Sequence, residues 1–292
     1  MPKDWTGQTG GTRWMQQSLI VLFHYIDVRI IYTIMGIVIV FYMIFRPYQY
    51  IAIYKYFKRC HNYTSLRAIF AAYTNYYMFG QAILDRFAAY AGKKYNFILE
   101  DKDIEKTYNN TEEGLLVIAS HIGNYELAGY SFPSSKRNMH IIAFDGETET
   151  VMKNRLAMFN ANNIHIIPIK KDLSHVFSIY EALTKGDIVS IHGDRMMDAM
   201  KELNCNFFNE PASFPMGPFQ IAAVINKPII TMFVMKDKWN TYHVYSFPLK
   251  ANYQLKKEER IADLAQQYAK HIEEIICKYP HQWFQFYDFW KN

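Results

Sequence analysis

The chain has 292 residues, half of them apolar, and no Pro/Gly/Ser-rich linker divides it, so one large core with an N-terminal appendage is expected rather than two independent domains. A net charge of +5 without a dense basic helix argues against nucleic acid, and it suits anionic lipid headgroups or an acidic carrier protein. Cys60, Cys205 and Cys277 are odd in number, widely spaced and lack a C-x-x-C pair, which excludes a disulfide framework or cysteine zinc site and points to a reducing cytoplasmic side.

The first eighteen residues are polar and Gly-rich, and no small-residue cleavage site follows the next apolar stretch, so no standard secretory signal is expected. Gly7 to Thr12 imitates a phosphate cradle but precedes every strand, which removes the context such a loop needs. Residues 30–45 carry no charge and are bracketed by Arg29 and Arg46. At sixteen residues they reach about 24 Å as helix, short of the roughly 30 Å hydrocarbon core. A single crossing and a re-entrant or interfacial hairpin both fit, because Leu19–Ile26 is apolar as well. Tyr48, Tyr50, Tyr54, Lys55, Tyr56, Lys58 and Arg59 follow, as an interface belt requires. The 17% aromatic content suits a bilayer interface and equally an aromatic core. Residues 1–60 are therefore expected to attach a second unit, 61–292, to a membrane.

From Leu66 to Ala91 apolar residues recur at three and four, predicting one or two helices that stop at Gly92. Apolar runs at 115–119, 139–144, 164–169, 188–191 and 229–235 then read as buried strands. The intervening helices are expected at 122–132, 149–160, 173–185 and 214–225, and a charged amphipathic helix covers 258–278 before Pro280. The predicted fold is α/β, a mixed, largely buried sheet flanked by helices, with an N-terminal hydrophobic membrane-attachment helix.

Chemistry concentrates at the ends of these strands. In Val117-Ile-Ala-Ser-His-Ile-Gly-Asn-Tyr-Glu126 the histidine falls in a strand-to-helix turn. Glu126, five residues on, can fold back from the first helical turn to fix the ring's tautomer and stabilise the imidazolium. A hydrogen-bonded turn histidine and a glutamate favoured by the helix dipole are the bland alternative. Asp187-Ile-Val-Ser-Ile-His-Gly-Asp-Arg195 repeats the pattern, placing His192, Asp194 and Arg195 at a carboxyl edge, where open α/β sheets carry their sites. Asp194 and Arg195 could instead be a structural ion pair.

Pro211 to Pro218, after Phe207-Phe208, is stiff and small enough to wall a channel for an extended apolar chain, with Phe208, Phe214 and Pro215 as candidates; an ordinary helix-capping loop is the alternative. Tyr279 to Trp290 holds seven aromatics in twelve positions. Most are expected to be core or interface anchors, with Gln282 and Trp283 supporting the site wall. There is no G-x-S-x-G, H-E-x-x-H, Walker loop or G-x-G-x-x-G.

These groups in this order resemble the lipid A biosynthesis acyltransferase family, the lauroyl/myristoyl transferases within the lysophospholipid acyltransferase superfamily. The similarity runs from Trp5-Thr-Gly-Gln-Thr-Gly10 through His121-x4-Glu126 as an H-x4-D/E motif and His192-Gly-Asp-Arg195 as the second polar turn. It continues with Phe207 to Pro218 and ends at Pro280-x-Gln-Trp-Phe284. The resemblance implies acyl transfer from an acyl carrier protein thioester, or less often acyl-CoA, to a lipid hydroxyl at the cytoplasmic face of the cell inner membrane, with no cofactor. Phe-Gln-Phe-Tyr-Asp-Phe-Trp replaces the basic tail found in many lipid A enzymes. An acceptor other than a bisphosphorylated disaccharide, such as an aryl polyene, another pigment or an aminolipid, therefore fits the resemblance too.

The expected mechanism uses neutral His121 as general base and Glu126 as its orienting acid, without an acyl-enzyme. The Gly123 and Asn124 amides, at an expected helix start, and Arg195 would stabilise an oxyanion or hold an acceptor phosphate, Arg195 being assigned to the acceptor together with Asp194. Lys136, Arg137, Lys153, Arg155, Lys170 and Lys171 could steer an acidic carrier, or simply be solvated charge. Two competing classes are a metal-dependent hydrolase ligated by His121, Glu126, His192 and Asp194, and a noncatalytic membrane scaffold.

Overall fold

The computed structural model describes residues 13–101, 112–127, 137–144, 163–169, 172, 174–196 and 200–290. Four helices come first: α1 Arg13–Tyr25, α2 Val28–Phe45, α3 Pro47–His61 and α4 Ser65–Tyr90. Asp27 caps α2 by accepting from the Arg29 amide, and Thr64 does the same for α4 from the Arg67 amide. Pro47, lacking an amide donor, begins α3 directly after Arg46 and so separates it from α2.

The strands are β1 Asn96–Leu99, β2 Leu115–Ala119, β3 Met139–Phe144, β4 Ile164–Ile169, β5 Ile188–His192, β6 Glu202–Phe207, β7 Glu210–Pro215, β8 Ile229–Lys238 and β9 Thr241–Pro248. The later helices are α5 Ser174–Thr184, α6 Met216–Val224 and α7 Lys257–Lys278. Seven strands form one sheet in the order β1-β9-β8-β2-β5-β3-β4, and β6 and β7 form a separate hairpin. Every neighbouring pair in the large sheet is parallel except β8 and β9.

The apolar runs are strands because both faces of the sheet are covered. Along β2, Leu115 and Val117 join one cluster with Met232, Val234 and Val244, while Leu116 and Ile118 join another with Phe233, Leu264 and Tyr268. Successive side chains point to opposite faces, so a run apolar at every position fits only a strand buried on both. On α7, Ile261, Leu264, Ala265, Tyr268, Ile272 and Ile275 form the buried stripe that covers the second face.

Two sequence expectations change. Residues 202–215 are a β-hairpin, with only Met216–Val224 of the expected 214–225 helix following it. Phe208 and Asn209 both take positive φ, 52° and 61°, as a two-residue type I′ turn demands. Of the expected 122–132 helix, the described part is bridge pairing at Ile122 and Gly123 followed by a 3-10 turn at Tyr125–Leu127. The expected 149–160 helix lies outside the described residues, as does the polar start.

Helix α2 has 18 residues and a mean hydropathy of 2.3, with 17% of it buried, so by length and composition it could cross a membrane. At 1.5 Å per residue it is about 27 Å long. Ile30, Ile34, Ile37, Phe41 and Ile44 are exposed, whereas Val28 and Tyr32 pack on Leu84 and Phe87 of α4. In α3, Tyr56 departs from the expected interface belt. It is buried with Ile53 and Phe57 in the main core, and its hydroxyl donates to the Pro280 carbonyl at 3.0 Å.

Candidate active site

Strands β2 and β5 are parallel neighbours in a register that pairs Ala119 with His192. Two residues beyond each member of that pair stand His121 and Asp194, so the sheet delivers both to the same carboxyl edge. The Gly193 amide donates to the Ala119 carbonyl at 3.0 Å, and a Cβ on Gly193 would lie 2.7 Å from Ile118 Cγ2. Glycine is what lets the two turns approach this closely.

Asp194 grips His121 twice. Its Oδ2 accepts from the His121 backbone amide at 2.8 Å, and its Oδ1 lies 2.9 Å from Nδ1 of the ring. Asp194 is 2% exposed. Burial opposes its charge, yet His121 and Arg195 outweigh that and hold its carboxyl well below the usual carboxylate range. An ionised carboxylate only accepts, so Nδ1 carries the ring proton and Nε2 the lone pair. Burial pushes His121 below its ordinary value, against the upward pull of Asp194, so the ring is neutral near pH 7. His192 lies beside it, tilted by 33° with ring centroids 4.4 Å apart, and burial and His121 push it down to about 3. Tyr125 meets both rings edge-on.

Glu126 stands in the 3-10 turn, where its Oε1 accepts from Arg86 of α4 at 2.5 Å; the two side chains are 12% and 11% exposed. Its charge also raises the pKa of His121. The site therefore holds an imidazole, the buried carboxylate of Asp194 and a second carboxylate matched to an arginine. Arg195, assigned from sequence to the acceptor with Asp194, donates from Nη2 to the Phe284 carbonyl at 3.2 Å, and its charge reaches both His121 and Asp194.

The Gly123 and Asn124 amides are corrected as oxyanion donors. The first donates to the Gln282 carbonyl and the second to that of Val234, each at 2.8 Å, because Ile122 and Gly123 pair with Trp283 and Val234 instead of opening a helix. The Asn124 side chain is buried as well, donating to the Ala82 carbonyl and the Tyr242 hydroxyl.

Gln282 and Trp283, expected to support the site wall, stand beside the His121 turn, the Gln282 carbonyl taking the Gly123 amide and Trp283 pairing with Ile122. The Gln282 amide exchanges two hydrogen bonds with the Lys236 backbone, at 2.8 and 2.7 Å, as an added strand residue would. Trp283 is 1% exposed and bridges Ile122. Phe214 and Pro215 are buried core, Phe214 packing against Phe207, Tyr268 and Phe289, and Phe208 forms the hairpin turn. A pocket of about 420 Å³ opens beside Trp283, between α3 and the C-terminal aromatic segment, against Tyr54, Lys58, Tyr287, Phe289 and Trp290.

Sequence reading missed Arg86 and Tyr268. Tyr268 donates to the Ala119 carbonyl at 2.7 Å and so holds the end of β2. Arg86 did leave a signal: after Arg67, Asp85 and Arg86 are the only charges in α4, adjacent in an otherwise apolar and aromatic helix. Arg137 holds the Gly186 carbonyl at 2.6 Å and that of Glu113, and the other five expected carrier-facing cations lie outside the described residues. Among the described residues no group of three His, Cys, Asp or Glu side chains is arranged to hold a metal ion.

No curated protein matches the chain. The sequence pattern of the family described as bacterial lipid A biosynthesis acyltransferase matches residues 68–292, from the start of α4 through both polar strand ends and the C-terminal aromatic segment. Covering most of the chain and the whole of the site, that match places this protein in the bacterial lipid A biosynthesis acyltransferase family and makes acyl transfer its chemistry.

Proposed function

We propose that the protein transfers a fatty acyl group from an acyl carrier protein thioester, or from acyl-CoA, to a hydroxyl of a lipid acceptor at the cytoplasmic face of the inner membrane. The observation that carries this reading is the double hold of Asp194 on His121, which leaves the Nε2 lone pair on a neutral, half-buried imidazole at the carboxyl edge of the sheet. Nε2 takes the proton of the acceptor hydroxyl as its oxygen attacks the thioester carbonyl. The carbon–sulfur bond then breaks, and the imidazolium returns the proton to the departing thiolate. Ester and thiol are the products, and no acyl-enzyme forms. Asp194 and Glu126 stabilise the imidazolium through their charges. With the Gly123 and Asn124 amides committed to protein carbonyls, Arg195 is the group assigned to the acceptor or the developing oxyanion.

Helix α2 supports the membrane part of the reading. Its exposed isoleucines and phenylalanines make a continuous apolar surface that a bilayer would cover. The aromatic pocket beside Trp283 is the space proposed for an apolar tail. The run Phe284-Gln-Phe-Tyr-Asp-Phe-Trp290, in place of a basic C-terminal one, favours an acceptor other than a bisphosphorylated disaccharide, although Lys55, Lys58 and Arg59 also line this pocket.

Purified full-length protein given labelled acyl carrier protein thioester or acyl-CoA, with a bacterial lipid extract, tests the proposal. Label moving into an ester-linked lipid supports it and names the donor. Release of fatty acid alone, with no labelled lipid, contradicts it.

A further inference from the structure

Asp85 is fully buried on α4 and forms the centre of a polar cluster that the reaction does not use. Its carboxylate accepts from Lys236 Nζ at 2.5 Å, from the Tyr95 hydroxyl at 3.0 Å, and from the hydroxyls of Tyr32 and Tyr242. Lys236, whose side chain is 5% exposed, donates further to the Trp239 carbonyl at 2.9 Å and to the Tyr32 hydroxyl at 3.3 Å. Five segments thus meet at one carboxylate: α2, α4, the approach to β1, β8 and β9. A buried ion pair is a poor source of net stability, because desolvation offsets most of the attraction. What it does supply is direction, since each partner must stand in one place.

The cluster reaches the His121 turn by three routes. Asn124 donates to the Tyr242 hydroxyl at 3.1 Å and to Ala82 of α4 at 3.2 Å. Arg86, the neighbour of Asp85, holds Glu126 at 2.5 Å. The Lys236 backbone grips the Gln282 side chain, whose main-chain carbonyl takes the Gly123 amide. Gly123, Asn124 and Glu126 are therefore all fixed from residues whose own places depend on Asp85 and Lys236.

We propose that Asp85 and Lys236 are positioning residues for the His121 turn, and that Tyr32 makes seating of the apolar helix α2 a condition for a correctly set site. The proposal rests on His121 being the base. α2 is held against α4 here by the Tyr32 hydroxyl and, one turn further along, by the Tyr73 hydroxyl on the Gly36 carbonyl at 3.0 Å. Displacing α2 would remove a donor from a fully buried carboxylate. The disturbance would pass to Arg86 and Tyr242, and through them to the turn. Seating of α2 on α4 and completion of the site thereby become one event.

The test uses the full chain in detergent, as Tyr32→Phe, Asp85→Asn and their double variant, with transfer kinetics, melting temperature and the ¹⁵N shifts of the His121 ring. Tyr32→Phe keeps the ring and deletes only the hydroxyl, so it reports even if Asp85→Asn fails to fold. The expected result is a kcat lower by roughly 10- to 100-fold with donor KM little changed, since sub-ångström misplacement acts on the chemical step. Shifted His121 ring signals and a double variant no worse than Asp85→Asn alone complete the expectation. A lower melting temperature with unaltered kcat and ring signals would reduce the cluster to a structural role and overturn the proposal. Should the parent chain show no transfer at all, the functional reading fails, and the ring signals alone decide the positioning claim.

Discussion

Replacing Asp194 by asparagine changes one atom and should reverse the tautomer of His121. In the native chain one carboxylate accepts from both the His121 amide and Nδ1–H, at 2.8 and 2.9 Å. Asparagine has a single acceptor. If its carbonyl takes Nδ1–H, its NH2 faces the backbone amide, and two buried donors oppose each other. If its carbonyl takes the backbone amide, its NH2 must donate to Nδ1, and the proton moves to Nε2, where the lone pair is needed. The second arrangement satisfies every group. The first leaves a buried donor unmade at about 1 to 3 kcal/mol, so the useful tautomer falls about 5- to 150-fold. Loss of the charge that steadies the imidazolium adds to this, giving an expected drop in kcat of roughly 100- to 10,000-fold. The assay is acyl transfer by purified Asp194→Asn, paired with histidine ¹⁵N shifts, which report the tautomer directly, and a thermal melt to establish folding. A folded variant that keeps the proton on Nδ1 and works within about threefold of the parent would refute the reasoning.

Other outcomes follow from the same geometry. Neutral His121 is the working form and its pKa is lowered, so kcat/KM should hold through pH 6.5 and fall only as pH drops through the lowered value; a limb above the ordinary histidine value of 6.5 would contradict this. Glu126→Gln removes a charge that raises that pKa, so the limb should move further toward acid, and loss of the countercharge facing part-buried Arg86 should destabilise the fold by up to about 3 to 5 kcal/mol, read by denaturant titration. Gly123→Ala places a Cβ 2.2 Å from the Val234 carbonyl oxygen at a φ of +63°, and a melting experiment should show a loss greater than the about 1 to 3 kcal/mol of the backbone conformation alone. Ile37 is 65% exposed near the middle of α2, and Ile37→Asp should shift the protein from the membrane to the supernatant fraction, since an acid at a helix centre costs roughly 2.5 to 3.5 kcal/mol to insert.

Which parts were legible in sequence has a physical pattern. Strands β2, β5 and β8 could be read because a sheet covered on both faces asks for apolar residues at nearly every position, and β3 and β4 because they too are apolar runs, although β4, at the sheet edge, buries only Ile164 and Ile167. β1 has four residues at the sheet edge and exposes alternate side chains, and β9 mixes polar and apolar positions, so neither makes such a run. β7 was hidden by Pro211 and Pro215, which ordinarily argue against a strand. It pairs only with β6, and its outer edge tolerates residues without an amide donor.

At the site, the importance of His121, Glu126 and Asp194 was visible in two polar strand ends, but their pairing was not. Five residues separate His121 from Glu126, which invites a local dyad. Seventy-three separate it from Asp194, and only the Ala119–His192 register shows that these two stand opposite each other. The committed amides of Gly123 and Asn124 were hidden for the same reason. Their acceptors on Gln282 and Val234 are distant in sequence.

The central claim, that His121 activates an acceptor hydroxyl for acyl transfer, is tested most directly by mass spectrometry of lipids from cells carrying the wild-type chain, His121→Ala, or neither. An acyl-sized mass increment found only with the wild-type chain is the predicted result. The same increment with His121→Ala, expressed at equal level, would contradict it.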